Sequence, residues 1–149
     1  MTSNLLKTVI AFIIIIFAVF CTISIASIEK NPFAADGEIF IINGGTYDVD
    51  VIVIITPDIE KAMEFVMENI TTPVTPEDFQ ASGTTFMDEE GRIVMWLSSS
   101  EDEGVITHEL FHTTSFIMSW FDIPFDESTE DAYAYELQYL TNQFYKQIK

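Results

Sequence analysis

The chain has 149 residues, of which 48% are hydrophobic, and its 24 acidic and 6 basic residues give a formal net charge of −18. A chain of this length forms one domain of ordinary size, and its apolar content is enough to bury a core. The negative charge repels phosphate backbones, which argues against nucleic acid as a partner. The single cysteine, Cys21, excludes an internal disulfide and a thiolate metal cluster, so a metal site must use nitrogen and oxygen ligands.

The first 28 residues form a segment of their own. Residues 8–28 carry no charge, a length that is sufficient to cross a bilayer as a helix. Lys7 precedes this stretch and acidic residues dominate the chain after it, which predicts a transmembrane anchor with the acidic domain outside the cytoplasm. Ser24-Ile25-Ala26 resembles a small-x-small cleavage site, so a removable signal peptide and a secreted domain are the alternative.

The remaining chain is predicted to contain a linker and first strand over 29–45, and the main domain over 46–149. Two β-rich runs flank Gly44-Gly45 and predict a hairpin: Glu38–Ile42 and Thr46–Ile55. All 24 acidic residues follow position 28, together with five of the basic residues. This part of the chain therefore carries a charge near −19.

A helix is predicted to follow the hairpin. Thr56 and Pro57 fit its N-cap and first turn, and the helix is expected to continue through about Glu68. Four apolar side chains are predicted to face inward: Ile59, Met63, Val66 and Met67. Thr75-Pro76-Glu77-Asp78 then predicts a second cap, of one short turn.

A second hairpin is predicted immediately before the most informative motif of the chain. Its first strand is Thr84–Met87, its turn is Asp88–Gly91 and its second strand is Arg92–Leu97. The motif is His108-Glu109-Leu110-Phe111-His112, which contains both histidines of the sequence. Residues four apart on a helix share one face at about 5–6 Å, so both imidazoles can bind one metal ion.

The glutamate of the motif has a different predicted role. Glu109 lies about 100° further round the helix than His108, where its carboxylate can reach a metal-activated water without binding the metal itself. The motif therefore predicts zinc-assisted hydrolysis with Glu109 as the general base.

The motif helix is predicted to begin at a capping box over Ser100–Glu103 and to end at about Phe121. One side of it is apolar: Ile106, Leu110, Thr113, Ile117 and Phe121. The helix is apolar on nearly every face, so we expect it to be sandwiched between the sheet and the next helix, with both histidines facing that second layer. The alternative is a pair of structural histidines that are hydrogen-bonded in the core.

The third metal ligand is expected downstream. Ser115 and Met118 stand where a metzincin motif has its glycine and third histidine, so a carboxylate must supply the ligand. Acidic residues cluster over 126–131, at the start of a last helix predicted to run to about Gln147. The helical pattern places Glu130 on the apolar, inward face and Asp131 more to the side. Glu127 or water remains an alternative ligand.

Residues 47–149 resemble the small phage- and prophage-encoded His-Glu-x-x-His proteins that are related to minimal gluzincins. In that family an acid stands three residues before an Ala-Tyr pair, so Ala134-Tyr135 assigns the third ligand to Asp131, where the family has glutamate. The resemblance implies bound zinc and a zincin-like α+β fold, with a small mixed or antiparallel sheet packed on an active-site helix and a C-terminal helix, here preceded by an N-terminal hydrophobic helix. An edge strand over the active-site helix, predicted at Arg92–Leu97, would pair with the substrate, and the alternative is that these residues form an ordinary sheet strand.

The predicted function is therefore a zinc metallopeptidase that acts on a peptide or protein, with His108, His112 and either Asp131 or Glu130 as ligands and Glu109 as the base. Two alternatives remain. One is a catalytically silent protein in which zinc only stabilises the fold. The other is a membrane-tethered acidic interaction module without metal, which recruits a basic partner. No oligomeric state is predicted.

Overall fold

The structure is a computed structural model that describes residues 37–148. The chain divides into two units, 1–34 and 35–149, and the described residues belong to the second. The predicted anchor or signal peptide over residues 1–28 lies outside the described residues. Within residues 37–148, no helix has the length and hydropathy that a membrane crossing requires.

The described residues form a four-stranded mixed sheet with three α-helices, which confirms the α+β class. The hairpin strands pair antiparallel in both cases, β1 with β2 and β3 with β4, while β2 pairs parallel with β4. The strand order is therefore β1-β2-β4-β3. The elements are β1 Glu38–Asn43, β2 Asp50–Ile55, α1 Ile59–Asn69, β3 Gly83–Met87, β4 Ile93–Leu97, α2 Glu103–Trp120 and α3 Glu130–Gln147, with short 3-10 helices at Gly45–Tyr47 and Pro76–Phe79.

The prediction that Arg92–Leu97 is an edge strand is wrong. Strand β4 lies between β2 and β3, and all five of its residues are buried. A strand covered on both faces needs apolar side chains at every position, and Ile93–Leu97 has them. The edge on this side of the sheet is β3, which has its single strand partner in β4 among the described residues.

Helices cover both faces of the sheet. Alternate side chains of β2 and β4 share one core with α2 and α3, including Val53, Met95, Leu110 and Leu140. On the other face Trp96 contacts the ring of Phe79 at 5.1 Å between centroids, beside the buried residues of α1. Helix α2 packs against β3 and β4, whereas α3 packs against β1 at the opposite edge.

The ends of α1 and α2 differ from their predicted positions by one to three residues. Asp58 caps α1 by accepting a hydrogen bond from the Lys61 amide, so the helix begins after the predicted cap at Thr56. Asp102 caps α2 in the same way, through the amides of Gly104 and Val105. The buried face of α1 consists of Ala62, Phe65 and Val66, so the predicted inward orientation is confirmed for Val66 and wrong for the exposed Ile59 and Met67.

The last helix begins in the acidic segment, as predicted. Thr129 is its N-cap residue, and the side chain of Ser128 donates a hydrogen bond to Asp126. Glu130 is exposed, so its predicted inward orientation is wrong. The buried face of α3 is instead formed by Tyr133, Glu136, Leu140 and Phe144. Phe121, predicted on the buried side of the motif helix, is also exposed.

Candidate metal centre

The two histidines of α2 meet at their outer ring nitrogens. The Nε2 atoms of His108 and His112 are 3.0 Å apart, and the rings cross at 78° with their centroids 4.6 Å apart. Two ligand nitrogens that each lie about 2.0–2.1 Å from one zinc ion are separated by roughly 3 Å. The pair therefore has the spacing of two ligands to one ion.

Glu109 lies beside the histidines but is held differently. Its side chain is only 4% exposed, and Oε2 accepts a hydrogen bond of 2.8 Å from the hydroxyl of Thr85 on β3. The same hydroxyl is 3.2 Å from the Glu109 carbonyl oxygen. The carboxylate is therefore fixed between the motif helix and the edge strand.

The close approach of β3 to α2 depends on a glycine. A Cβ atom added at Gly83 would lie 2.8 Å from Cγ1 of Val105 and 2.9 Å from Cγ of Glu109. Real Cβ contacts of that length essentially do not occur, so a side chain at this position would displace Glu109 or the strand. Because glycine has no side chain, the backbone of β3 at Gly83 can contact Glu109.

His108, Glu109 and His112 line one open cleft of about 580 Å³ together with β3 and the residues before it. Its volume falls within the range of about 300–1,000 Å³ that is typical of ligand sites. The strand side of the cleft is formed by Ala81, Ser82, Gly83, Thr84 and Thr85. The three polar residues of the motif therefore face the open edge of the sheet.

The prediction that both histidines face the last helix is wrong, because both are exposed. The physical reason is the position of the helices on the sheet. Helix α2 lies over β4 and β3, and the histidines project on its β3 side, whereas α3 lies towards β1. The alternative of two hydrogen-bonded histidines in the core is excluded by the same exposure.

The structure does not bring a carboxylate of the last helix to the histidines. Glu130, Asp131 and Glu127 are all exposed, and within residues 37–148 no group of three or more His, Cys, Asp or Glu side chains has a metal-binding arrangement. Helix α2 continues for eight residues beyond His112, and residues 121–129 separate its end from the start of α3. The histidines fit two positions of a metal site, and Asp131 or Glu130 as the third ligand stays a prediction.

No family model matches this chain, and comparison with curated proteins and with solved structures found no similar protein. The resemblance to phage-type His-Glu-x-x-His proteins therefore stays a prediction that rests on the motif and its flanking residues. The function of the cleft has to be inferred from its geometry.

Two residues of this site were missed by sequence reasoning. Thr85 and Gly83 lie on β3, and the signal that could have identified them is the pattern Gly-Thr-Thr at the start of a strand that otherwise needs large apolar residues. Glycine in a strand often marks the close approach of another chain segment, as it does here.

Proposed function

We propose that this protein is a zinc-dependent peptidase whose site is the cleft between α2 and β3. The observation that carries the proposal is the convergence of His108 Nε2 and His112 Nε2 at 3.0 Å beside the buried carboxylate of Glu109. Two imidazoles four residues apart and one adjacent carboxylate on a single helix are the arrangement of the metalloprotease motif helix, in which the glutamate is the general base.

Each residue has a defined role in the proposal. His108 and His112 hold the metal through their Nε2 atoms. Zinc, when bound, supplies a Lewis acid that polarises the scissile carbonyl and activates water. Thr85 fixes Oε2 of Glu109, which leaves Oε1 to take a proton from the attacking water and to return it to the leaving amine.

An extended peptide is the substrate that the surroundings of the site fit. Strand β3 is the edge of the sheet beside the cleft, and an edge strand has backbone groups that can pair with an added strand. A peptide in that position would pass along Gly83, Thr84 and Thr85 and bring a carbonyl next to the histidines. This replaces the predicted substrate strand, β4, with its neighbour.

A second candidate function is a zinc-binding protein without hydrolytic activity. It is favoured by the contacts of Glu109, whose carboxylate is buried and already accepts a hydrogen bond from Thr85. In that case zinc binds to His108 and His112, and the Glu109 carboxylate has a structural role through its bond to Thr85. A metal-free acidic interaction module remains the third possibility.

Cleavage of an unstructured protein separates the three functions. The full chain, solubilised in a mild neutral detergent, is loaded with zinc and incubated with casein. A peptidase cleaves casein, and Glu109→Gln lowers the rate by about 100-fold or more while it keeps the bound zinc. The matched control is Glu103→Gln, on the same helix but outside the cleft, which is expected to leave cleavage unchanged.

The other outcomes assign the other functions. Bound zinc with no cleavage by the unaltered chain identifies the silent metal-binding protein. A chain that binds no zinc identifies the acidic module. Equal cleavage by the unaltered chain and Glu109→Gln contradicts the proposed role of Glu109.

A further inference from the structure

A second cavity lies away from the histidines, between α3 and the 3-10 helix Gly45–Tyr47. Its volume is about 730 Å³, and α3 contributes Glu136 to its lining. Glu136 is only 5% exposed, and its Oε1 atom is buried without a hydrogen-bond partner. An unpaired buried carboxylate is costly, so its presence in a cavity wall calls for an explanation.

The carboxyl group of Glu136 has no charged neighbour that affects its pKa. A Cβ atom added at Gly44 would lie 3.4 Å from Oε1 of Glu136 and 3.1 Å from Cδ1 of Ile117, so this buried oxygen lies near the backbone of Gly44. Burial raises the pKa of Glu136 to about 7, and no neighbouring charge contributes to that shift. The fold therefore holds a carboxyl group with neither a cationic partner nor a donor among the described residues.

Tyrosine rings and amide side chains form much of the remaining cavity lining. Tyr47, Tyr135 and Tyr139 line the same cavity, with the amide side chains of Gln138 and Asn142 beside them. The ring of Tyr139 lies against Gly45, whose backbone has a φ of +56°, and an added Cβ there would be 2.9 Å from Cε1 of the ring. Faces of tyrosine rings attract cations, most strongly where water is excluded.

We propose that this cavity binds an organic cation, an ammonium or guanidinium group that pairs with the carboxylate of Glu136 between the tyrosine rings. A cation in the cavity supplies the partner that the carboxylate of Glu136 lacks, and the net charge of −18 favours the approach of cations over anions. The cation belongs either to a small amine or to a lysine or arginine side chain of a partner protein. The proposal is independent of the zinc peptidase.

Calorimetric titration of the full chain in a mild neutral detergent tests this proposal. The probes are butylammonium, butylguanidinium and a capped Gly-Lys-Gly peptide, with neutral butanol as the uncharged comparison. We expect saturable binding of a cationic probe, at least tenfold weaker binding to Glu136→Gln, and unchanged binding to Glu64→Gln. Glu64 carries the same charge, but it is exposed on α1 and outside the cavity lining.

The pH dependence of binding tests the same carboxylate without a substitution. Glu136 is the one residue with a carboxyl group in this cavity lining, which contains no lysine, arginine or histidine, and Ile117 from α2 is uncharged. Because ionised Glu136 is the binding form, the affinity of the unaltered chain for butylammonium is expected to rise about tenfold from pH 6 to pH 8. Binding should also release a proton near pH 6.5.

The outcomes are decisive in both directions. A lysine peptide that binds at least tenfold more tightly than butylammonium identifies a partner protein as the source of the cation, and the reverse order identifies a small amine. The absence of saturable binding, equal affinity for butanol, equal affinity in Glu136→Gln, or an affinity that does not change between pH 6 and 8 overturns the proposal.

Discussion

The hydroxyl group of Thr85 on β3 donates a 2.8 Å hydrogen bond to Oε2 of Glu109 on α2. This bond joins the edge strand to the glutamate of the motif, so the strand that lines the cleft also orients its carboxylate. Orientation of a general base by a neighbouring side chain is a common requirement of hydrolytic sites.

Removal of this hydroxyl should weaken both the fold and the activity. In Thr85→Val the buried Glu109 carboxylate loses its donor, which is expected to cost about 1–3 kcal/mol in the free energy of unfolding. Casein cleavage should fall by about tenfold, because the carboxylate is free to rotate. Thr107→Val is the control, since it loses a hydroxyl bond to Glu103 on the same helix, outside the cleft. Equal effects of the two substitutions would show that Thr85 has no particular role in orienting Glu109.

A side chain at Gly83 should push β3 away from α2. The added methyl group of Gly83→Ala meets Val105, Glu109 and Leu97 within 3.0 Å, and such overpacking costs about 1–3 kcal/mol. Gly104→Ala is the comparison, because an added Cβ there meets only Asp102 Oδ1, at 3.3 Å. That variant should change stability by about 1 kcal/mol or less in either direction. Chemical denaturation of both proteins measures the difference, and equal stabilities would contradict the close approach.

Glu136 should make stability fall as pH rises. Its pKa in the folded state is about 7 because of burial, above its ordinary value of 4.5, so between these values the folded state holds a proton that the unfolded state has released. Stability is then lost as the pH rises towards 7. Relative to the unaltered chain, Glu136→Gln should gain roughly 1–3 kcal/mol between pH 5 and pH 8. Glu130→Gln should show no such gain. If the stability of Glu136→Gln changed with pH in the same way as that of the unaltered chain, the raised pKa of Glu136 would be contradicted.

Asp88 organises the turn between β3 and β4. Burial alone would raise its pKa, but hydrogen bonds from the amides of Thr71, Glu90 and Arg92, and the Arg92 guanidinium at 2.7 Å, hold the pKa well below its usual range. This stabilisation is present above about pH 4 and is lost as the pH falls further.

Substitution of Asp88 should therefore be severe at neutral pH and mild in acid. Asp88→Asn is expected to lose about 2 kcal/mol or more at pH 7, because a charged acceptor of several hydrogen bonds is removed. The loss should be smaller at pH 2. Glu90→Gln, which removes the exposed second partner of Arg92, should be nearly neutral. Thermal unfolding at both pH values measures these effects. If Asp88→Asn lost the same stability at pH 2 as at pH 7, the proposed stabilisation by the ionised Asp88 carboxylate would be contradicted.

The elements of the fold that could be read from the sequence are those with local signals. The turn over Asp88–Gly91 contains a glycine with a φ of +77° and an aspartate that accepts amide hydrogen bonds, which is the chemistry by which turns are recognised. The motif helix is predictable from its spacing and from the polar residues 100–103 before it, although its cap is Asp102 and not the Ser100 of the predicted capping box. These features depend on residues that are close in sequence, and their predicted positions agree with the structure within one to three residues.

The arrangement of those elements needed information that the local pattern does not carry. Whether a residue of α3 can reach His108 depends on which edge of the sheet each helix covers. No signal between residues that are close in sequence determines where the helices lie on the sheet. Two signals were nevertheless present. Ile93–Leu97 has no polar residue, which is typical of a strand inside a sheet. Glu136 stands at helical spacing between Tyr133 and Leu140, which places a carboxyl group on the buried face.

Metal binding tests the central claim most directly. The full chain is dialysed against zinc at pH 7.5 and its metal content is determined by elemental analysis, beside His112→Ala and Glu109→Gln. The two converging Nε2 atoms predict one zinc ion per chain, which is lost in His112→Ala and kept in Glu109→Gln. A chain that remains free of zinc, or that binds as much zinc after His112→Ala, would contradict the proposed site.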